Sequence, residues 1–81
     1  MELMIVGKKK VKREDKKDLN IVYFVHKAKE DSGVDGLVAE SAFTNNATFD
    51  TLAVDSKKTV DMAVFYENGY CNIYNKKNKS E

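Results

Sequence analysis

Residues 59–75 carry two segments rich in β-branched and aromatic side chains, joined by Asn68-Gly69. Asn-Gly between such segments is the strongest short-range signal of a β-hairpin, because a type I′ turn needs a positive φ at both of its central residues. A two-residue turn also sets the pairing of the strands, and here it places Val64 opposite Ile73. The sequence therefore predicts a hairpin with a fixed register.

This register sorts the side chains of the hairpin onto two faces, because successive residues of a strand point to opposite sides. One face is almost wholly apolar and is predicted to face the core: Val60, Met62, Val64, Tyr66, Cys71 and Ile73. The other face is polar but carries three aromatic side chains where water is expected: Phe65, Tyr70 and Tyr74. These three residues are candidates for a contact surface.

Two more strands are predicted before residue 26. The first covers residues 2–6, and Gly7 indicates a bulge or bend, after which residues 8–13 continue the strand with lysines outward and Val11 inward. Residues 14–18 form a charged turn. The second strand, 19–25, is apolar on both faces apart from one asparagine, which is typical of a strand that is buried on both sides or meets a partner.

The middle of the chain predicts one strand and one short helical turn. Residues 27–36 form a loop and residues 34–44 the third strand. Asn45 or Asn46 is predicted to cap a helical turn that ends near Leu52. Leu52 and Val54 are expected to close the bottom of the core.

These elements predict an all-β domain in which a five-stranded antiparallel sheet curls on itself, since its first two strands are apolar on both faces. A small OB-like barrel fits this pattern best, and an SH3-like barrel is the alternative that periodicity leaves open. The barrel domain covers residues 1–75. Residues 76–81 lack any apolar side chain and are predicted to form a disordered basic tail.

The chain has 81 residues, 14 Lys and Arg against 13 Asp and Glu, and a net charge of +1. This length predicts one domain. The charges are unevenly placed, with basic ends and an acidic middle, which can build a field over one face that the net charge hides. No apolar run approaches the roughly 18 residues that span a bilayer, so we expect no membrane association and a cytoplasmic location.

The sequence gives little support for an active site or a metal site. His26 is the single histidine and Cys71 the single cysteine, and together they cannot supply the usual four ligands of zinc. A nucleophile–base pattern and a phosphate-binding loop are both missing. We expect a non-enzyme without catalytic residues, metal or cofactor, in which His26 lies at the rim and Cys71 is a small buried hydrophobe.

Two groups of residues have alternative interpretations. The basic arm is either a solvated hairpin whose lysines discourage edge pairing or a contact for nucleic-acid phosphates through Lys8, Lys10, Lys12 and Arg13. The outward aromatic residues are either a homodimer contact through Phe65, Tyr70 and Tyr74, or a platform on which unpaired bases stack. From the residues alone, the solvated hairpin and the dimer contact are favoured.

Four segments and one glycine carry a family pattern: LMIVGKK (3–9), VDGLVAESAF (34–43), LAV (52–54), VDMAVFY (60–66) and Gly69. They resemble small proteins encoded on Gram-positive conjugative transposons and plasmids, which are in turn similar to the single-strand DNA-binding protein of filamentous phages. The resemblance implies an OB-like barrel that dimerises. It departs from the family at 54–56, where Val-Gly-Asp is frequent, and in the last hairpin turn, where the family often has an arginine.

The resemblance implies an accessory protein of a mobile genetic element that binds single-stranded nucleic acid, DNA in the family, weakly and without sequence preference. Tyr70 and Tyr74 are then candidates for stacking, and the basic arm for phosphate contacts. The alternative is a protein–protein interaction module of the same element that does not bind nucleic acid.

Overall fold

A computed structural model describes residues 1–75, and the predicted tail at 76–81 lies outside the described residues. The elements in chain order are β1 Glu2–Val11, β2 Leu19–Lys27, β3 Leu37–Thr44, α1 Asn46–Thr51, β4 Asp55–Glu67 and β5 Tyr70–Asn75. The strands close into a barrel in the order β1-β2-β3-β5-β4. The predicted all-β, five-stranded OB-like barrel is therefore confirmed.

One strand pair differs from the predicted antiparallel arrangement. β3 and β5 are parallel and meet at Phe43 and Asn72, whereas the other neighbouring strands are antiparallel. The parallel pair arises because α1 and β4 intervene between β3 and β5, so that the chain returns in its original direction. In the part of the chain that is described, no helix has the length and apolar character needed to cross a membrane.

The predicted hairpin register is confirmed. The pairing of β4 with β5 is unbroken from Met62 opposite Asn75 to the residues that flank the turn. Asn68 and Gly69 have φ values of 53° and 83°, the positive values that a type I′ turn requires. Local turn chemistry therefore determines the register of the last two strands.

The core lies inside the barrel and contains Leu3, Ile5, Val22, Phe24, Ala42, Leu52, Met62 and Ile73. Val64 and Cys71 are partly buried and pack against it. Tyr66 was predicted on the core face, and this prediction is wrong, because Tyr66 is 68% exposed. It lies next to the turn, where the hairpin extends past the last layer of core side chains.

A β-bulge in β1 changes the direction of its lysines. Ile5 pairs with Phe24 and Gly7 with Tyr23, so Val6 is an extra residue in β1. A Cβ on Gly7 would lie 3.3 Å from Cδ2 of Tyr23, a close approach that glycine accommodates. Since a bulge shifts the alternation of side chains by one residue, every residue after it changes face.

The prediction that the lysines point outward and Val11 inward is therefore wrong in its details. Lys8 lies opposite Val22, which is fully buried, so its side chain points toward the barrel interior. Lys10 follows with the same orientation, while Lys9 and Val11 lie on the outer face.

The helix forms where the sequence predicts it. Asn45 is the N-cap of α1 and its side chain accepts a hydrogen bond from Thr48 N, and Leu52 is the C-cap. Leu52 is buried and closes the core, but Val54 is exposed, so the prediction that both residues close the core is only half right. The buried hydroxyl of Thr48 accepts a hydrogen bond from Asn75 N at 3.1 Å and joins α1 to β5.

Candidate nucleic-acid interface

Four aromatic side chains surround Asn72 on the outer surface of β3, β5 and β4. Phe43 and Phe65 are its register partners on the two neighbouring strands. Tyr70 and Tyr74 lie two residues before and after it on the same face of β5. The Phe43 and Tyr70 ring centroids are 5.7 Å apart and those of Phe65 and Tyr74 5.3 Å apart, both edge to face. We call these four residues the aromatic quartet.

Two shallow grooves share Phe43 as a lining residue, and the second is also lined by Tyr70. The first has a volume of about 390 Å³, includes Asn72 and is bordered by Phe65 and Tyr74. The second has a volume of about 420 Å³ and extends toward Tyr23 and Tyr66. Tyr70 itself is 60% exposed. Each groove therefore has an aromatic wall that solvent can reach.

Lys9 places a positive charge beside this surface. It pairs with Ile21, Ile21 pairs with Phe43, and Phe43 pairs with Asn72, so these side chains form one row across four strands of the barrel. Lys9 is exposed at the β1 end of that row. It is the β1 lysine that shares the outer face with the aromatic quartet.

Lys8 and Lys10, which the sequence assigned to phosphate contacts, lie against α1 instead. The Lys8 ammonium donates to the carbonyl oxygens of Phe49 at 2.8 Å and Leu52 at 2.9 Å, at the C-terminal end of the helix. It also lies 4.5 Å from the centroid of the Phe49 ring, and that of Lys10 lies 5.1 Å away. Lys8 therefore ties β1 to the end of α1, while Lys10 is exposed and contacts only the Phe49 ring among the described contacts.

Lys12 and Arg13 lie in the exposed loop between β1 and β2. Nε and Nη2 of Arg13 donate to the carbonyl oxygen of Lys17 at 2.9 and 2.7 Å and thereby join the two sides of this loop. The loop follows Val11, two residues beyond Lys9 on the outer face. Its four basic and three acidic side chains therefore lie at the same end of the barrel as Lys9.

A polar cluster borders the second groove. Nε2 of His26 lies 2.5 Å from Oε2 of Glu40. The nearby Cys71 and Glu40, through their charges and through hydrogen bonds, raise the pKa of Tyr66. Burial raises the pKa of the Cys71 thiol, although the hydrogen bond with Tyr66 acts in the opposite direction. Both groups are therefore protonated at neutral pH, and the thiol is a poor nucleophile.

One prediction for this cluster needs correction. Cys71 is only partly buried, because it pairs with the exposed Tyr66 near the turn. His26 is partly buried at the rim and pairs with Glu40. Among residues 1–75, no three His, Cys, Asp or Glu side chains are arranged as metal ligands.

The other half of the outer face carries a row of aliphatic side chains, with Glu2 and Lys27 at its groove. Met4, Val25 and Ala39 form a row across β1, β2 and β3, and Leu37 beside them is 56% exposed. A groove of about 450 Å³ includes Met4 and Leu37. The outer face is thus divided into an aromatic half with basic neighbours and an aliphatic half.

Sequence reasoning placed Phe65, Tyr70 and Tyr74 on the outer face, and the structure brings them together there. Sequence reasoning did not identify Phe43, Lys9 or Asn72 as residues of the site. Phe43 joins the others only because the barrel closes between β3 and β5. Lys9 had a signal in Gly7, since a bulge at that position reverses the faces of the following lysines.

No family model, curated protein or solved structure matches this chain. The class of ligand is therefore inferred from the geometry and charge of the outer face.

Proposed function

We propose that this protein binds single-stranded nucleic acid, as an accessory protein without catalytic activity. The observation that carries the proposal is the contact of the exposed Tyr70 ring with the half-buried Phe43 ring, which lines both grooves, because unpaired bases stack on aromatic side chains in such positions. Each stacked base contributes roughly 1–3 kcal/mol as measured by alanine substitution. Every base has a π-face, so binding of this kind tolerates many sequences.

The charge distribution supports a nucleic acid over a neutral ligand. OB-like barrels bind oligonucleotides and oligosaccharides on the face of strands 2 and 3 and the adjoining loops, and aromatic rings suit both. Lys9 lies on the outer face in the same row as Phe43, with Ile21 between them, and Lys12 and Arg13 lie at the same end of the barrel. Phosphates are attracted to this end, whereas an uncharged sugar gains nothing from it.

We further propose that the protein serves a mobile genetic element in the cytoplasm and acts on DNA exposed during transfer or replication. This part of the proposal depends on the resemblance of the sequence to proteins of conjugative transposons and plasmids. The acidic middle of the chain limits contact to the basic end, so affinity is modest.

Fluorescence anisotropy with a labelled oligo-dT of about 16 nucleotides tests the proposal. At about 50 mM salt we expect saturable binding, and a slope of log K against log salt near −2 for about three phosphate contacts. Tyr70→Ala and Tyr74→Ala each weaken binding by roughly 1–3 kcal/mol. Lys9→Ala makes the slope shallower by about 0.7, whereas Lys8→Met leaves it unchanged. Absence of binding at this salt concentration contradicts the proposal.

A homodimer that acts as a protein-interaction module is the second candidate. Two surfaces are available for such a dimer: the predicted contact through Phe65, Tyr70 and Tyr74, and the exposed aliphatic half that includes Leu37. The first overlaps the proposed stacking surface, so it predicts that oligo-dT dissociates the dimer. The second leaves the aromatic quartet accessible, so it predicts a dimer that binds oligo-dT.

Light scattering with Leu37→Lys and Tyr74→Ala distinguishes these surfaces. Loss of the dimer in Leu37→Lys alone assigns the contact to the aliphatic half, and loss in Tyr74→Ala alone assigns it to the aromatic residues. A monomer at high concentration in the unmodified protein excludes both.

A further inference from the structure

Asn72 occupies a position that stacking alone does not explain. It lies in the middle of β5, with Phe43 and Phe65 as its lateral partners. Asparagine is depleted in strands, where β-branched and aromatic residues pack better. An apolar residue at the centre of the aromatic quartet would also continue the stacking surface. A hydrogen-bonding side chain at this point therefore suggests a ligand with a polar edge.

The amide of Asn72 is held in one orientation. Its Nδ2 donates to the carbonyl oxygen of Tyr70 at 3.0 Å, which uses one of its two amide hydrogens. Asn72 lines the groove, and its Oδ1 and second N–H take no part in this bond. Together they present an acceptor and a donor side by side on a planar group.

The other polar residues of this groove are less suited to meet a ligand. Thr44 and Asn45 also line it, but Oδ1 of Asn45 accepts the hydrogen bond from Thr48 N at 2.7 Å. The hydroxyl oxygen of Thr44 is buried from solvent. Asn72 is thus the residue of the groove best placed to hydrogen-bond a base that lies between the rings.

We propose that Asn72 recognises the hydrogen-bonding edge of one unpaired base. This contact gives the otherwise sequence-tolerant surface a preference for certain bases. This inference rests on the proposed binding of single-stranded nucleic acid. Nucleobases present an adjacent donor and acceptor on a planar edge, which an asparagine amide can pair with in a bidentate fashion. Phosphate and deoxyribose lack such an edge, so the base itself is the group that Asn72 contacts.

The test compares homopolymers of dA, dC and dT and an abasic oligonucleotide of the same length. A bidentate contact at the lower end of its range discriminates between bases by about five- to tenfold. We expect the unmodified protein to show such a ratio between its most and least favoured homopolymers. In Asn72→Ala the ratio falls below about twofold, while the salt dependence, set by phosphate contacts, is unchanged.

Matched variants separate recognition from stacking and from folding. Tyr70→Ala weakens binding to all homopolymers by similar factors. Thr59→Ala, at the opposite end of β4, leaves both affinity and base ratio unchanged. The Tm of Asn72→Ala shows whether the hydrogen bond from Asn72 to the Tyr70 carbonyl oxygen stabilises the fold of the β4–β5 hairpin.

A second measurement is independent of affinity. In ¹⁵N-labelled protein the side-chain amide signals of Asn72 shift on titration with a nucleoside monophosphate and do not shift with deoxyribose phosphate.

Each result decides the question. An unchanged base ratio in Asn72→Ala, or no base ratio in the unmodified protein, overturns the inference and leaves the proposed function standing. Equal weakening for all homopolymers together with a lower Tm assigns Asn72 a structural role and also overturns it. If no oligonucleotide binds, the proposed function fails and this inference fails with it.

Discussion

The β1–β2 and β4–β5 hairpins present their exposed side chains in different ways. The β4–β5 hairpin closes through two residues with positive φ, and its pairing runs without interruption from the turn to Met62 and Asn75. The β1–β2 hairpin closes through a seven-residue loop and contains a bulge at Val6. The β4–β5 hairpin presents aromatic rings, and the β1–β2 hairpin presents lysines.

This difference shows that one extra residue can decide the role of a charge. The bulge turns the Lys8 ammonium toward the helix, where it meets two carbonyl oxygens at 2.8 and 2.9 Å. It leaves Lys9 on the outer face beside the aromatic quartet. Adjacent lysines of identical chemistry thus have a structural role in one case and a proposed ligand-binding role in the other.

The largest expected effect is a difference in the free energy of unfolding between variants of Lys8 and Lys9. We expect Lys8→Ala to lower the free energy of unfolding by about 2 kcal/mol, because its two hydrogen bonds are partly buried and hydrogen bonds to charged groups contribute roughly 1.5–3 kcal/mol. Lys9→Ala should change it by less than about 0.5 kcal/mol, as exposed substitutions do. Urea denaturation measures both. Equal losses of stability would mean that the bulge does not separate the roles of the two residues.

The second prediction concerns the short turn. Gly69 has a φ of 83°, where a residue with a Cβ costs about 1–2 kcal/mol. We therefore expect Gly69→Ala to lower the free energy of unfolding by that amount, although the space around the glycine is open. Lys16→Ala, in the long loop of the other hairpin, serves as the control and should be neutral. A neutral Gly69→Ala would show that the turn does not determine the register.

The third prediction examines how the β1 lysines depend on α1. Asn45→Ala removes the N-cap and should cost about 1 kcal/mol. Lys8 acts at the opposite end of the same helix, so the two changes should couple, and the double variant should lose less stability than the sum of the single variants. Chemical denaturation of the three variants gives the coupling energy. Strict additivity would indicate that Lys8 acts independently of the helix.

The smallest effect concerns the thiol near the tip of the β4–β5 hairpin. Because the pKa of Cys71 is raised in the folded protein, less thiolate is present at a given pH than in the unfolded chain. We expect iodoacetamide to react with the folded protein more slowly, with a midpoint shifted to higher pH. Tyr66→Phe removes the hydrogen bond that opposes this shift, so the midpoint should rise further.

The same shift gives a sign for stability against pH. A group whose pKa is raised by folding contributes stability that is present below its pKa in the unfolded chain and is lost as the pH rises through its pKa in the folded protein. Cys71 and Tyr66 both belong to this class. Unfolding measurements at alkaline pH should therefore show declining stability, with a smaller decline in Cys71→Ala.

The sequence by itself determined the features that depend on neighbouring residues. Asn68-Gly69 fixed the turn and thereby the partner of every residue from Met62 to Asn75, since a type I′ turn admits one pairing. Asn45 marked the start of the helix, because its side chain accepts a hydrogen bond from Thr48 N, and the helix ends before Leu52 as predicted. Apolar segments on both faces of the first strands also required a curled sheet, which is how the OB-like barrel could be predicted.

Tertiary structure alone decided which exposed residues stand together. Phe43 lies beside Asn72 because closure of the barrel brings β3 against β5, although the two are 29 positions apart in the chain, and no local preference encodes such a contact. Gly7 indicated a bulge or bend in the sequence, but only the pairing of β1 with β2 made Val6 the extra residue and so reversed the faces of Lys8 and Lys9. Turns and caps depend on the backbone preferences of a few consecutive residues, whereas the candidate site depends on pairing between distant strands.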